Sequence, residues 1–207
     1  HRADPDAVLI LNDYGVEFKG KAKTEAFYNL AKKLKERGVP IHGVGLQSHL
    51  DVGAIEVRNM EANIKRYNDL GLKCVITELD LGCDKNDYNF IQQARDYYSI
   101  SRLAMLADNC NELMIWGLDD GITWRKDRNP LLYDSQLNAK PAYYGAHAAL
   151  RQTAETSAII DMDAMPETKP GKVVAIEYYN MQGQRMAQPA DSTLYIEVVR
   201  YDNGMVK

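Results

Sequence analysis

The 207 residues contain no apolar run close to the roughly 20 that a membrane-spanning helix requires. Cysteine is scarce and odd in number: Cys74, Cys83 and Cys110, with no CxxC spacing. Neither a zinc site nor a disulfide framework follows from that pattern. Cys74 and Cys110 both stand near strand starts, where they could be neighbours, but buried thiols are the reading adopted. Charge of one sign is lacking too. With 25 Lys and Arg against 29 Asp and Glu, the formal net charge is −4, and no basic block occurs. Nothing therefore points to nucleic acid or to an anionic membrane surface. Low-complexity segments are absent. No initiator Met and no signal peptide precede His1-Arg2-Ala3-Asp4-Pro5, so the chain reads as a fragment or a processed product.

What is present is ordinary for a globular protein. Apolar residues make up 45% and charged residues 26%, enough to bury a real core in one domain with something small beside it. The first 150 residues alternate short apolar runs with amphipathic stretches, four times over. Val8–Asn12 predicts the first strand, and Phe27, Leu30, Ala31 and Leu34 recur at helical spacing until Gly38 and Pro40 close that helix. Ile41–Gln47 predicts the second strand, followed by a helix with Val57, Met60, Ile64 and Tyr67 on one face that stops at Gly71. Lys73–Glu78 is the third, followed by a long helix whose stripe is Ile91, Ala94, Tyr98 and Met105. Glu112–Gly117 is the fourth, and Pro141 opens a last helix with Tyr143, Ala146 and Leu150 on its apolar face. Consecutive βα units with near-continuous apolar strands mean a parallel sheet covered by helices. Residues 153–172 read as a linker. Beyond it, Val173–Tyr179 and Leu194–Tyr201 alternate as strands, with turns at Gly183 and Asn203-Gly204, as in a small and incomplete antiparallel β module.

In a parallel α/β sheet or barrel, function gathers at the strand C-termini. Those positions hold Asn12-Asp13-Tyr14, then Gln47-Ser48-His49, then Glu78 with Asp80, then Trp116 with Asp119, Asp120 and Trp124. Aromatic faces beside amides and carboxylates suit a sugar, whose ring stacks while its hydroxyls are hydrogen-bonded. Plainer roles stay open for most of them. Asn12 and Asp13 suit an Asx turn, His49 a satisfied core histidine, Trp116 core packing and Asp80 a loop cap. Asp84, Lys85 and Asp87 read as a solvated face, and His42 and His147 as structural. Trp124 gains little by packing in the polar loop from Asp119 to Asn129. Glu78 has no good structural role, because a carboxylate inside an apolar run is costly to bury.

These residues carry a resemblance. Gly71 to Leu81, reading Gly-Leu-Lys-Cys-Val-Ile-Thr-Glu-Leu-Asp-Leu, resembles the active-site signature of glycoside hydrolase family 10, the endo-β-1,4-xylanases; Cys74 departs from the usual aliphatic residue or Asn. Gly43–Leu50 and Asn12-Asp13-Tyr14 resemble the family's two preceding strand ends. Trp116-Gly117, Trp124, Pro130–Asp134 and Lys140–Tyr144 resemble its closing unit. The resemblance covers residues 3–150 and implies the C-terminal four units of a (β/α)8 TIM barrel, with residues 1–152 as the half-barrel and 173–207 as the β module.

It also implies a retaining xylanase that cleaves the β-1,4-xylan backbone by double displacement. Glu78 would be the nucleophile, with His49 and Asp80 keeping it ionised and oriented. Gln47 would contact the sugar at the cleavage site, Tyr14 and Asn12 would lie on the leaving-group side, and Trp116 and Trp124 would wall the glycone subsites. No metal or cofactor is called for. The ligand would be xylan or a xylo-oligosaccharide.

The family's general acid/base Glu ends the fourth barrel strand in a segment like Trp-Asp-Val-Val-Asn-Glu, and no such segment occurs here. Retaining hydrolysis needs two carboxyls about 5–5.5 Å apart. The chain alone is therefore expected to be inactive, and its open sheet edges to associate unless the N-terminal half is supplied by the same gene product or a second chain. A β-glucanase of the same fold, or a non-catalytic xylan-binding half, are the competing readings. The tail from Val173, with Tyr179–Arg185, Leu194–Ile196 and Asn203–Lys207, resembles the C-terminal sorting module of secreted proteins in Bacteroidota-type bacteria. That implies a secreted, cell-surface or periplasmic protein; a carbohydrate-binding module or an inert appendage stays open.

Overall fold

Apolar runs with β-branched residues and helical stripes with polar backs segregate into strands and helices in the computed structural model. It describes residues 2–110, 112–155, 173–179, 185–187 and 196–201 and divides into two units, His1–Ala158 and Ile159–Lys207. In chain order the first unit holds β1 (Ile10–Asp13), α1 (Ala22–Glu36), β2 (Gly43–Leu46), β3 (His49–Asp51), α2 (Val57–Asn68), β4 (Lys73–Gly82), α3 (Phe90–Leu106), β5 (Leu113–Ile115) and α4 (Pro141–Glu155). Every pairing among these strands is parallel: β1 with β2, β2 and β3 with β4, and β4 with β5. The four βα units expected from the alternation are thus an α/β half-sheet, with helices burying its apolar face.

The expected strands at Val8–Asn12, Ile41–Gln47 and Glu112–Gly117 are trimmed to Ile10–Asp13, Gly43–Leu46 and Leu113–Ile115. The third is longer than expected. β4 runs past Glu78 to Gly82 because β3, a short strand the pattern did not announce, pairs with its second half. Ile76 faces Leu46, an offset of 30, whereas Asp80 faces His49, an offset of 31. One extra residue of β4 is therefore accommodated between Ile76 and Asp80, and the register against β5 shifts in the same interval. Such a bulge bends a strand and re-aims its side chains. Glu78 sits in this irregularity, inside β4, and Asp80 is a strand residue instead of a loop cap.

Two helix faces also differ from their predicted stripes. On α3, Ile91 is 60% exposed, while Gln93, Tyr97, Ile100 and Ala104 are buried. A polar Gln holds the buried face because its side-chain amide donates to the carbonyls of Leu81 and Asn129, both at 2.7 Å, and Tyr97 donates to Pro130 O at 2.7 Å. Polar contacts to β4 and to the loop after β5 thus join apolar packing in aligning α3. On α4, Ala142, Ala146 and Ala149 face inward and Leu150 does not. Leu30 on α1 and Leu150 on α4 are both exposed, as are Val8 before β1 and Met114 on β5. Helix α4 continues through Glu155, into the stretch expected as linker. The three cysteines are free and buried.

The second unit contains β6 (Val173–Tyr179), β7 (Arg185–Met186) and β8 (Ile196–Tyr201), with β6 antiparallel to both of the others. The expected turns at Gly183 and Asn203-Gly204, residues Leu194-Tyr195, and linker residues 156–172 lie outside the described residues. None of the helices among the described residues is long and apolar enough to cross a membrane.

Candidate active site

Three adjacent strands bring the expected polar residues to one point. Glu78 and Asp80 leave β4 two residues apart, so both side chains emerge on the same face. His49, at the start of β3, stands between them: Nδ1 lies 2.8 Å from Asp80 Oδ2 and Nε2 lies 3.2 Å from Glu78 Oε2. From β1, Asn12 Nδ2 donates to Glu78 Oε1 at 3.0 Å, while Asn12 Oδ1 accepts from the Thr77 hydroxyl at 2.9 Å. The Thr77 bond fixes which end of the amide faces the carboxylate. Each oxygen of Glu78 is held by one neighbour, and a second lone pair of each remains open.

Space for Asn12 comes from β2. A Cβ at Gly45 would lie 2.4 Å from Asn12 Oδ1, so any other residue there would displace the amide. Asp13, the other half of the suggested turn, does take a local role: it accepts from Tyr14 N–H at 2.8 Å and pairs with Lys23 at 2.9 Å. The Lys23 ammonium also covers one face of the Tyr14 ring, 3.4 Å from its centroid. Tyr14 is otherwise exposed and stands apart from the Glu78 network.

The turn that aims His49 is held from below. Ser48 adopts φ of 63°, a conformation disfavoured for a side chain with a Cβ. Its buried N–H donates to Glu17 Oε1 at 2.8 Å. Glu17 is itself buried, and desolvation raises its pKa despite the backbone N–H groups that favour its charge. Asn63 of α2 anchors that loop by donating to the carbonyls of Val16 and Glu17. Gln47 precedes this kink and donates its backbone N–H to Asp13 O at 3.1 Å, which seats it between β1 and His49.

The loop after β5 supplies the aromatic side. Trp124 Nε1 donates to Asp80 Oδ2 at 2.8 Å. The edges of Trp124 and Trp116 meet the His49 ring at centroid distances of 5.1 and 6.2 Å. Both indoles keep about half or more of their surface open, 63% for Trp124 and 49% for Trp116. Exposed indole beside a carboxylate is the combination that stacks on and hydrogen-bonds a sugar. The loop is stapled by Lys140, whose buried ammonium donates to Asp120 Oδ2 at 2.7 Å and to the carbonyls of Asn129 and Leu131. Burial pushes Asp120 up and Lys140 down from their ordinary values, against the pull of their own pairing.

The expected catalytic residues Glu78 and Asp80 are therefore linked through His49; Asn12 joins at Glu78 and Trp124 at Asp80. Trp116 and Gln47 flank them. Sequence reasoning missed Thr77, Glu17, Gly45 and Arg125, whose Nη1 donates to Asp80 Oδ1 at 2.8 Å. Their neighbours in the chain give no sign of them, because each acts on a residue distant in sequence. Among the described residues no group of three or more His, Cys, Asp or Glu side chains is arranged to hold a metal ion.

A model of the family described as glycosyl hydrolase family 10 matches residues 1–149. Exoglucanase XynX of Acetivibrio thermocellus and endo-1,4-beta-xylanase A of Thermoanaerobacterium saccharolyticum are each 40% identical over 148 residues, covering 70% of this chain and 13% of their own length. Endo-1,4-beta-xylanase B of Thermotoga neapolitana is 35% identical, covering 74% of this chain and 45% of its own. Among solved structures, native xylanase 10B of Thermotoga maritima superposes with a TM-score of 0.69 at 33% identity, over 75% of this chain and 50% of that one. Xylanase 10B of Thermotoga petrophila, solved with xylobiose, gives 0.68 at 34% identity, over 73% and 48%. The chain thus spans half or less of the length of these relatives.

Proposed function

The chain belongs to glycosyl hydrolase family 10, and from that premise we propose that it is the C-terminal half of a retaining endo-1,4-β-xylanase with Glu78 as nucleophile. The observation that carries this reading is the placement of His49, whose two ring nitrogens touch the carboxylates of Glu78 and Asp80. His49 thereby ties the two carboxylates together and holds Glu78 in one orientation.

In the first step Glu78 attacks the anomeric carbon of a xylose unit. The C1–O bond to the leaving sugar breaks as a C1–Oε bond forms, and a second carboxylic acid protonates the departing oxygen. In the second step that group takes a proton from water, whose oxygen attacks C1 and releases Glu78. The second carboxyl belongs to the other half of the barrel, so the 207 residues alone turn over negligibly. Exposed Trp116 and Trp124 are the glycone wall, and Tyr14 the platform on the leaving-group side.

The open edges support this division. Among the described residues β1 pairs only with β2, and β5 only with β4. An apolar cleft of about 530 Å³ lies beside β5, lined by Met105, Leu113, Ile115, Leu132, Ala146 and Leu150. Unpaired strands and apolar surface together suit a partner that continues the sheet. The partner is the first four βα units, whether encoded in the same gene product or a second chain. We further propose export, to the cell surface, the periplasm or the medium, with residues 173–207 as the sorting element.

The experiment is reconstitution. Mixing the chain with a polypeptide carrying the first four units is expected to restore xylan hydrolysis, and Glu78→Gln to remove it. Sugar binding without restored turnover would favour a non-catalytic xylan-binding half. One relative is named an exoglucanase, which keeps a second reading in view: a β-glucanase with the same residues. Product analysis on xylan against cellulose decides between them.

A further inference from the structure

We propose that Arg125 is a positioning residue for Glu78, acting through Asp80 and His49 without touching the nucleophile. The role rests on the nucleophile reading for Glu78, but its geometry is independent of it. Asp80 is fully buried and its carboxylate is encircled: Oδ2 meets His49 Nδ1 and Trp124 Nε1, and Oδ1 accepts from Arg125 Nη1 at 2.8 Å. Of these partners only Arg125 carries a permanent charge. Without it the buried carboxylate loses its one permanently charged partner, and the seat of His49 between the two carboxylates is no longer fixed from behind.

Arg125 is itself built in. Nη1 also donates to Leu50 O at 2.8 Å, and Nη2 pairs with Asp51, which Arg128 holds from the other side at 2.9 Å. Burial works against the charge on Arg125, and the hydrogen bonds to Asp80 and Asp51 outweigh it, raising its pKa above the ordinary value. Gly82, at the end of β4, leaves the guanidinium its seat: a Cβ there would lie 2.6 Å from Nη2 and 2.7 Å from Cζ. A chain of polar contacts therefore runs from Asp51 at the surface through Arg125, Asp80 and His49 to Glu78. Loss of Arg125 changes the orientation of His49, beyond loosening a loop.

The test uses the 207-residue chain labelled with ¹⁵N in His and Trp, following the ring N–H signals of His49 and the indole N–H of Trp124. Assignments come from His49→Gln and Trp124→Phe. Arg125→Ala is expected to move both signals while that of His147 stays in place. Millimolar guanidinium is expected to return them towards their original positions, and Arg125→Lys to lie between. Unmoved signals in a folded Arg125→Ala chain, or signals that guanidinium does not restore, overturn the proposal and leave Arg125 a loop clamp. Gly82→Ala is the second variant, since it keeps the charge but pushes the guanidinium from its seat. The same two signals are expected to move, and their failure to do so overturns the proposal even if Arg125→Ala does not fold. In the reconstituted enzyme Arg125→Lys is expected to lower kcat about 10-fold or more with KM within about threefold; a change confined to KM counts against it. Turnover surviving Glu78→Gln would instead sink the nucleophile reading, leaving the resonance test intact.

Discussion

Asn12 and Glu78, 66 residues apart in the chain, meet through a 3.0 Å hydrogen bond that crosses β2 above Gly45. The bond fixes one oxygen of the carboxylate, and it exists because β2 offers no side chain at that point. Asn12 thus touches the proposed nucleophile itself.

Replacing Gly45 with Ala is expected to displace the Asn12 amide and cost the reconstituted enzyme about 10-fold in kcat/KM, in line with about 1.5 kcal/mol for a hydrogen bond to a charged group. Asn12→Ala is expected to fall in the same range, and the double variant to add little, because both act on one contact. Steady-state kinetics on xylan check this, and full additivity would argue that Gly45 acts elsewhere.

Glu78→Gln is isosteric and keeps an acceptor for Asn12, yet removes the nucleophile. Turnover after reconstitution is expected to drop by about 10⁴-fold or more, with the melting temperature little altered. A residual rate near that of the parent would remove the double-displacement mechanism.

Glu17 gives a pH dependence of stability. Its folded pKa is raised by desolvation, so the folded state binds the proton more tightly than the unfolded chain. Its contribution is thus present at low pH and lost as pH rises through the window between the unfolded value, 4.5, and the raised folded one. Glu17→Gln keeps an acceptor for Ser48 N–H without the titration. The variant is expected to gain stability relative to the parent as pH rises from about 4 to about 7. Thermal melts across that range would count against the assignment if the difference were flat or reversed.

The Asp120–Lys140 pair is nearly sealed from solvent, at 5% and 6% side-chain exposure. Lys140→Met strips the buried Asp120 carboxylate of its cation and takes a donor from the carbonyls of Asn129 and Leu131, and is expected to cost about 3–5 kcal/mol in urea unfolding. Asp120→Asn in the same background should recover part of that loss, since it removes the stranded charge. No recovery would mean that Lys140 acts chiefly through the carbonyls of Asn129 and Leu131.

Deleting residues 166–207 is expected to abolish export and to leave xylan affinity of the reconstituted barrel unchanged. Fractionation of producing cells reads the first and affinity electrophoresis the second. Lost affinity with normal export would identify a carbohydrate-binding module instead.

Much of this was legible in the chain. Apolar runs of strand length alternating with 3.6-period stripes determine a parallel α/β arrangement, because the backbone must pair and the apolar faces must be covered. A Glu inside such a run is legible as a functional group through its desolvation cost, and Asp80 shares its face by the period of two. The resemblance of Gly71–Leu81 added which chemistry to expect. What only tertiary structure decided is how far β4 extends, which face of α3 is buried, and which residues stand behind the expected ones. Asn12 reaches Glu78 over 66 residues and Arg125 reaches Asp80 over 45. No local pattern encodes such contacts. They depend on parallel register, on a one-residue bulge in β4, and on two glycines that leave room for side chains from another strand and from a loop. Sequence periodicity records burial along one element, whereas these contacts arise between elements, where spacing in the chain carries no distance in space.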